Sequence, residues 1–208
     1  IRSYIHRCQK DGVKIVMNCE VTPELIKEEK PDSVIIATGS KTLILPIEGI
    51  DNPAIIHGSD LLDGKRPAGK KVLVVGGGMV GCETAAFLGE QEHDVTVIEF
   101  RDTVGADVIH EHRVYLMKDF EDYGIKEITG AKVCKFYEDG VEYETADGVR
   151  HETRGYDSVI LSMGFRNYNP LEEKIKDLVP ETHVIGDAIR ARRALDATKE
   201  AYEVASRI

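Results

Sequence analysis

A glycine-rich turn between an apolar run and a helix-forming stretch most constrains how this chain folds. Residues 70–83 read KKVLVVGGGMVGCE, and six of them fit the pattern GxGxxG. Those six are Gly76, Gly77, Gly78, Met79, Val80 and Gly81. The preceding apolar run predicts a buried strand over 71–75, and the residues that follow predict a helix over 80–91. This order predicts a Rossmann-type parallel α/β sheet with a dinucleotide site at the turn.

Three glycines of the pattern each have a separate physical role. Gly76 permits the tight turn, Gly78 lets the backbone approach a pyrophosphate, and Gly81 lets the helix pack closely on the strand. The pyrophosphate is then expected at the N-terminus of the helix, where unpaired N–H groups and a partial positive charge face it.

An acidic residue at the end of the next predicted strand indicates which dinucleotide binds. The apolar run 95–98 ends at Glu99, 23 residues after Gly76. A carboxylate at this place accepts hydrogen bonds from ribose hydroxyls and repels a 2′-phosphate, which favours NAD. Arg101 lies two residues further on and could hold a 2′-phosphate, so NADP stays an alternative.

A short internal repeat divides the chain into two related parts. Residues 31–39 read PDSVIIATG and residues 156–164 read YDSVILSMG, and both end in glycine, at Gly39 and Gly164. Each copy predicts a buried strand that enters a glycine turn. No GxGxxG precedes the first copy, and the first residue is Ile1, not Met. We therefore expect that the part of the protein containing the first copy begins with a strand, a glycine loop and a helix that precede Ile1.

The other segments predict a mixture of helices and strands. Alternating β-branched residues over 13–19 predict a strand. Thr22 and Pro23 predict the start of a helix over 23–30. Apolar residues over 109–123 predict an amphipathic helix, and runs at 133–137 and 141–145 predict an antiparallel meander.

Composition narrows the class of protein. The formal charge of −10 argues against nucleic acid as a partner, and no apolar run is long enough for a membrane helix. The four cysteines, Cys8, Cys19, Cys82 and Cys134, form no CxxC pair or metal-binding spacing, which is typical of reduced thiols in the cytoplasm. His110 and His112 do not share a helix face, so no metal site is predicted.

Several of these pieces together resemble the two-dinucleotide-binding-domain flavoproteins, in which an NAD(P)-binding fold is inserted into an FAD-binding fold. The pieces that match are Ala37-Thr38-Gly39, Gly76 to Glu83, Ser162-Met163-Gly164, and Gly186-Asp187. The resemblance implies a partial FAD-binding domain at 1–45 plus 166–208 and an NAD(P)-binding domain at 66–165. It implies that Asp187 bonds the ribityl chain of FAD. It also implies that Glu83 lies near the nicotinamide and flavin rings; the alternative is a carboxylate that complements the helix dipole.

The stretch from His183 to Tyr202 is similar to the 2,4-dienoyl-CoA reductase and 2-enoate reductase group of the old yellow enzyme superfamily. That similarity implies a parent enzyme with an FMN-bearing (β/α)8 barrel and an iron–sulfur cluster. NAD(P)H would give hydride to FAD, and the cofactors would carry the chemistry without a catalytic side chain. Since one FAD loop is lacking here, we expect little or no FAD on this chain. The alternative function is a non-catalytic NAD-binding or interaction module.

Overall fold

The computed structural model describes residues 2–208 as a mixed α/β protein. Its helices are α1 (Arg2–Lys10), α2 (Pro23–Glu29), α3 (Gly58–Leu62), α4 (Met79–Glu90), α5 (His110–Asp122), α6 (Glu172–Ile175) and α7 (Ala194–Ala205). Its strands are β1 (Ser33–Ile36), β2 (Ser40–Thr42), β3 (Ile56–His57), β4 (Lys71–Val75), β5 (Asp94–Ile98), β6 (Lys126–Ile128), β7 (Lys132–Tyr137), β8 (Gly140–Glu144), β9 (Arg150–Thr153), β10 (Ser158–Leu161), β11 (Phe165–Asn167) and β12 (Glu181–Val184).

The chain divides into two compact units. The central unit is Lys41–Arg166, and the split unit combines the residues up to Ser40 with Asn167–Ile208. A separate two-stranded sheet is formed by β2 and β11.

A five-stranded parallel sheet is the framework of the central unit. Its strand order is β3-β10-β4-β5-β6. Four of the five residues of β4 are buried, as are all four of β10, because parallel central strands are covered on both faces. Val75 pairs with both Ile98 and Leu161, so β4, β5 and β10 end together at one edge of the sheet.

Different layers cover the two faces of this sheet. Val72, Val74 and Val97 point into a cluster with residues of α4 and α5, among them Leu88 and Phe120. The alternate residues Leu73, Val75 and Val159 instead pack against the antiparallel meander β7-β8-β9 through Phe136 and Val141. The predicted fold class, a parallel Rossmann-type sheet with an antiparallel meander, is confirmed.

The split unit has a much smaller core. The parallel strands β1 and β12 contribute to this core, whose buried residues are Ile26, Ile36, Ile175 and Val179. Helix α2 begins as predicted: the Thr22 side chain accepts a hydrogen bond from the Leu25 N–H at 3.3 Å, and Pro23 is the first helical residue. Neither α1 nor α7 contains a buried residue.

Two local predictions are wrong. Residues 13–19 do not form a strand, and Val13 and Met17 are exposed by 54% and 75%. A strand needs a neighbouring strand for its hydrogen bonds, and this segment has none among the described residues. The apolar residues of α5 predict one buried face, but only Leu116 and Phe120 are buried, and the apolar Val114 of the same helix is exposed.

No helix over residues 2–208 combines the length and apolar character that crossing a membrane requires.

Candidate functional site: the glycine loop and the strand ends beside it

The glycine loop follows β4 directly and is shaped by its close contacts. Gly76 has φ +105°, and a Cβ added there would lie 2.4 Å from the Ser162 carbonyl oxygen. A Cβ at Gly81 would lie 1.8 Å from the carbonyl oxygen of Gly76. Side chains at these two positions would therefore collide with backbone atoms. The loop can keep this conformation only with glycine at both places.

Helix α4 begins within the glycine loop. Gly78 is the N-cap residue, and its backbone is extended, so the helix begins at Met79 and continues through Val80. Gly78 has no side chain that could cap the helix, and the first turn of α4 contains no acidic residue. Amide donors and a partial positive charge at such a helix start make a suitable position for an anion.

Glu99 lies beside the loop at the end of β5, where it was predicted. Its Oε2 accepts a hydrogen bond from the Gly77 N–H at 2.6 Å, and its Oε1 accepts one from the Arg101 N–H at 2.9 Å. The carboxylate therefore joins the end of β5 to the glycine loop. Sequence analysis had assigned Glu99 only to a ligand and missed this structural contact.

The remaining predicted residues of the central unit lie on exposed or open positions. Arg101 and Glu83 are exposed, and Glu83 is the fifth residue of α4, beyond the first turn. Since the dipole effect is confined to the first turn, this position does not favour the alternative in which Glu83 complements the dipole. Gly164 follows β10 with φ +97°, and a Cβ there would meet nothing within 4 Å.

Cys82 is a core residue inside the glycine pattern. Its side chain is fully buried, and its Sγ donates a hydrogen bond to the Gly77 carbonyl oxygen at 3.2 Å. Burial raises the pKa of the Cys82 thiol to about 12. The thiol is therefore protonated at neutral pH and is unsuited to redox chemistry.

In the split unit, the ends of β1 and β12 bring the other predicted residues together. The Ile185 N–H donates to the Ile36 carbonyl at 3.0 Å, so Ala37, Thr38 and Gly39 leave β1 beside the point where Gly186 and Asp187 leave β12. Asp187 is held in place because Oδ2 accepts from the Ser40 hydroxyl at 3.2 Å and Oδ1 accepts from the Arg192 N–H at 3.1 Å.

Two acidic residues that sequence analysis missed hold backbone amides at these sites. Glu200 of α7 accepts from the Gly186 N–H at 2.7 Å and pairs with Arg192. The Arg192 guanidinium and then the Gly186 N–H hold the pKa of the Glu200 carboxyl below its usual value. Asp107 accepts from the Met79 N–H at 2.9 Å. No sequence motif identifies Glu200 or Asp107. Each carboxylate is far along the chain from the amide that it binds, and only the conformation of the intervening residues brings the two together.

The residues present fit one dinucleotide well and a second only in part. The glycine loop and Glu99 have the residue types that a pyrophosphate and a ribose require, while the Met79 N–H at the start of α4 donates to Asp107. The split unit offers Thr38, Gly39 and Asp187, but the chain contains only one GxGxxG.

The chain is similar to a known protein family and to longer curated proteins. The family described as pyridine nucleotide-disulphide oxidoreductase matches residues 2–185. Cinnamate reductase of Clostridium sporogenes is 31% identical over 200 residues, covering 95% of this chain and 30% of that protein. NADH oxidase of Thermoanaerobacter brockii is 32% identical over 202 residues, covering 95% of this chain and 31% of that protein.

A solved structure is similar over the whole chain. The complex of 2-naphthoyl-CoA reductase with 2-naphthoyl-CoA superimposes with a TM-score of 0.90 and 31% identity, covering 100% of this chain and 31% of that one. This chain thus spans about 30% of the length of these relatives. They confirm the resemblance to the enoate-reductase-like group, and the predicted use of pyridine nucleotide agrees with the family description. The chain belongs to the pyridine nucleotide-disulphide oxidoreductase family.

Proposed function

We propose that the central unit binds NADH and positions it to deliver hydride to FAD, as part of an NADH:flavin oxidoreductase of the enoate or dienoyl-CoA reductase type. The observation that carries this proposal is the contact between Glu99 and the Gly77 N–H at 2.6 Å. The contact supports the proposal because it joins the carboxylate that we assign to the ribose to the loop whose backbone amides we assign to the pyrophosphate.

In this proposal, different residues bind different parts of the nucleotide. The Gly76–Gly81 loop and the amides at Met79 and Val80 receive the diphosphate, and Glu99 receives the adenosine ribose. Gly164, which follows β10, and Glu83 of α4 would contact the nicotinamide end. Hydride transfer is chemistry that the bound nucleotide and flavin supply.

The split unit supplies part of an FAD site in this proposal. Thr38, Gly39 and Asp187 leave the paired ends of β1 and β12 and would contact the ribityl end of the flavin. The proposed domains are accordingly 1–45 plus 166–208 for FAD and 66–165 for the nucleotide. Because charge-assisted contacts to the FAD pyrophosphate are lacking here, the purified chain should carry little FAD. A stoichiometric yellow chromophore would contradict this expectation.

The proposed partners are NAD(P)H and further parts of a larger reductase. The relatives are about three times as long as this chain and are named as cinnamate reductase, NADH oxidase and 2-naphthoyl-CoA reductase. We assign substrate reduction to a barrel domain with FMN and an iron–sulfur cluster in the parent enzyme. This unit would supply that domain with electrons.

Nucleotide titration tests the proposal directly. Nicotinamide fluorescence is suitable because the chain contains no Trp. We expect saturable binding of NADH and a loss of at least about tenfold in affinity for Glu99→Gln, since a hydrogen bond to a charged group is worth about 1.5–3 kcal/mol. Glu90→Gln, an exposed residue at the end of α4, is the matched control. Absence of saturable binding with both NADH and NADPH would overturn the proposal.

Arg101 distinguishes NAD from NADP. If NAD is the ligand, Arg101→Ala should leave NADH affinity nearly unchanged. Stronger binding of NADPH than NADH, lost in Arg101→Ala, would support NADP instead.

Oxidation of bound NADH separates the proposed function from its alternative. We expect the chain to oxidise NADH when an artificial acceptor or free flavin is added. Binding without oxidation under these conditions would support a non-catalytic NAD-binding module.

A further inference from the structure

An acidic side chain lies at the anion-binding start of α4. Asp107 belongs to the loop of residues 99–109 that joins β5 to α5, and its Oδ1 accepts a hydrogen bond from the Met79 N–H at 2.9 Å. Its Oδ2 lies 3.2 Å from the place where a Cβ of Gly78 would stand. The proposed function assigns the Met79 N–H and the space beside Gly78 to a diphosphate. In this structure the Asp107 carboxylate accepts from that N–H and occupies that space.

Other contacts hold this loop in place without Asp107. The Gly105 N–H donates to the Gly77 carbonyl oxygen at 2.6 Å, and the Gly130 N–H donates to the Arg101 carbonyl oxygen at 2.9 Å. Val104 is 1% exposed and belongs to the core cluster of the sheet. Asp107 itself is exposed, so its side chain can leave Met79 while the loop stays packed.

We infer that Asp107 is an affinity-determining residue that competes with the diphosphate of the nucleotide for the N-terminus of α4. This inference rests on the proposed function. Two anions cannot share one N–H donor without strong repulsion, so binding requires the Asp107 carboxylate to rotate away. The free energy of breaking its contact with Met79 is subtracted from the affinity. The site thus binds a pyridine nucleotide more weakly than its glycine loop alone would allow.

A structural role for Asp107 predicts the opposite result. If the carboxylate served only to cap α4 and order the loop, its removal would disorganise the site and weaken binding. The sign of the change in affinity therefore decides between the two roles. Protein stability is expected to fall in either case, since a helix cap is lost.

The experiment compares two substitutions of Asp107 with a matched control. Asp107→Asn keeps an oxygen acceptor and removes the charge, and Asp107→Ala removes both. Asp102→Asn makes the same charge change at another exposed position of the same loop. The probes are NADH, ADP, which carries the diphosphate, and adenosine, which does not.

We expect both Asp107 variants to bind ADP and NADH about threefold to thirtyfold more tightly, the range that a charge at a helix terminus supports. Adenosine affinity should stay within about twofold in all variants, and Asp102→Asn should match the unsubstituted protein for every probe. Unchanged or weaker ADP binding in either Asp107 variant would overturn the inference, as would an equal gain for adenosine. Failure of every variant and of the unsubstituted protein to bind NADH would overturn the proposed function itself.

Discussion

The same four residues, Asp-Ser-Val-Ile, lead into a strand in each of the two units, yet the two strands have different environments. In the central unit, β10 lies between β3 and β4, and Val159 and Ile160 are completely buried. In the split unit, β1 pairs with β12 alone among the described residues, and Ile35 is 37% exposed.

The local conformation is nevertheless the same in both copies. Each strand is parallel to its neighbours and is followed by a glycine with positive φ, +76° at Gly39 and +97° at Gly164. A short sequence therefore specifies the strand and its turn, whereas the surrounding elements determine how much of it is buried. Five predictions test how the two units differ, from the largest expected effect to the smallest.

The largest difference is expected between a cysteine of each unit. Because the pKa of Cys82 is raised to about 12, its alkylation by iodoacetamide at mildly alkaline pH should be at least about a hundredfold slower than that of exposed Cys19. Peptide mass spectrometry of the labelled protein gives both rates. Similar rates would show that the α4 core opens readily.

The raised pKa also predicts a pH dependence of stability. The folded state keeps the Cys82 proton longer than the unfolded state does, so the free energy of unfolding should fall as pH rises above about 8.5. Cys82→Ala should lose this part of the pH dependence in urea unfolding.

Equivalent isoleucines of the repeat should differ next in magnitude. Ile160→Ala removes atoms from a closed core and should lower the free energy of unfolding by about 3 kcal/mol, whereas Ile35→Ala should cost about 1 kcal/mol or less. Urea unfolding followed by circular dichroism measures both. Equal losses would mean that β1 is as well covered as β10.

The two repeat glycines should respond alike, although the strands that precede them differ in burial. A Cβ at Gly39 or Gly164 meets nothing within 4 Å, so only the positive φ opposes a side chain. Each Gly→Ala substitution should cost about 1–2 kcal/mol. A difference between the two larger than about 1 kcal/mol in thermal unfolding would contradict an equal backbone requirement.

Substitution of the two aspartates of the repeat, Asp32 and Asp157, should have the smallest effect on stability. Asp157 Oδ2 accepts from the Lys71 N–H at 2.7 Å, and Asp157→Ala should cost about 1 kcal/mol. Asp32 is exposed and makes no side-chain hydrogen bond within residues 2–208, so Asp32→Ala should change stability by less than about 0.5 kcal/mol. The pair is compared by thermal unfolding, and a larger loss for Asp32 would contradict the assignment.

Sequence analysis predicted best what depends on neighbouring residues in the chain. The start of α2 at Thr22 and Pro23, the glycine loop, and the meander each follow from the conformational preferences of a few adjacent residues. Glu99 was also placed correctly beside the loop, because strand length and parallel order bring the ends of β4 and β5 to one edge.

What depended on distant partners could not be predicted from the sequence. The alternating segment 13–19 has the pattern of a strand but no strand beside it in the described structure. Asp107 is 28 residues from Met79, and only the path of the loop between β5 and α5 brings them together. Glu200 likewise reaches Gly186 because α7 folds back on the turn after β12.

The double hydrogen bond of Glu99 has a consequence for redesigning coenzyme preference. Replacing this carboxylate by an apolar or basic residue, the simplest route toward a coenzyme with an extra phosphate, would also release the amides of Gly77 and Arg101. A redesign that supplied only a cation for the phosphate would therefore loosen the turn that it was meant to keep. A successful variant would have to provide a new acceptor for Gly77 at the same time as a new cation for the phosphate.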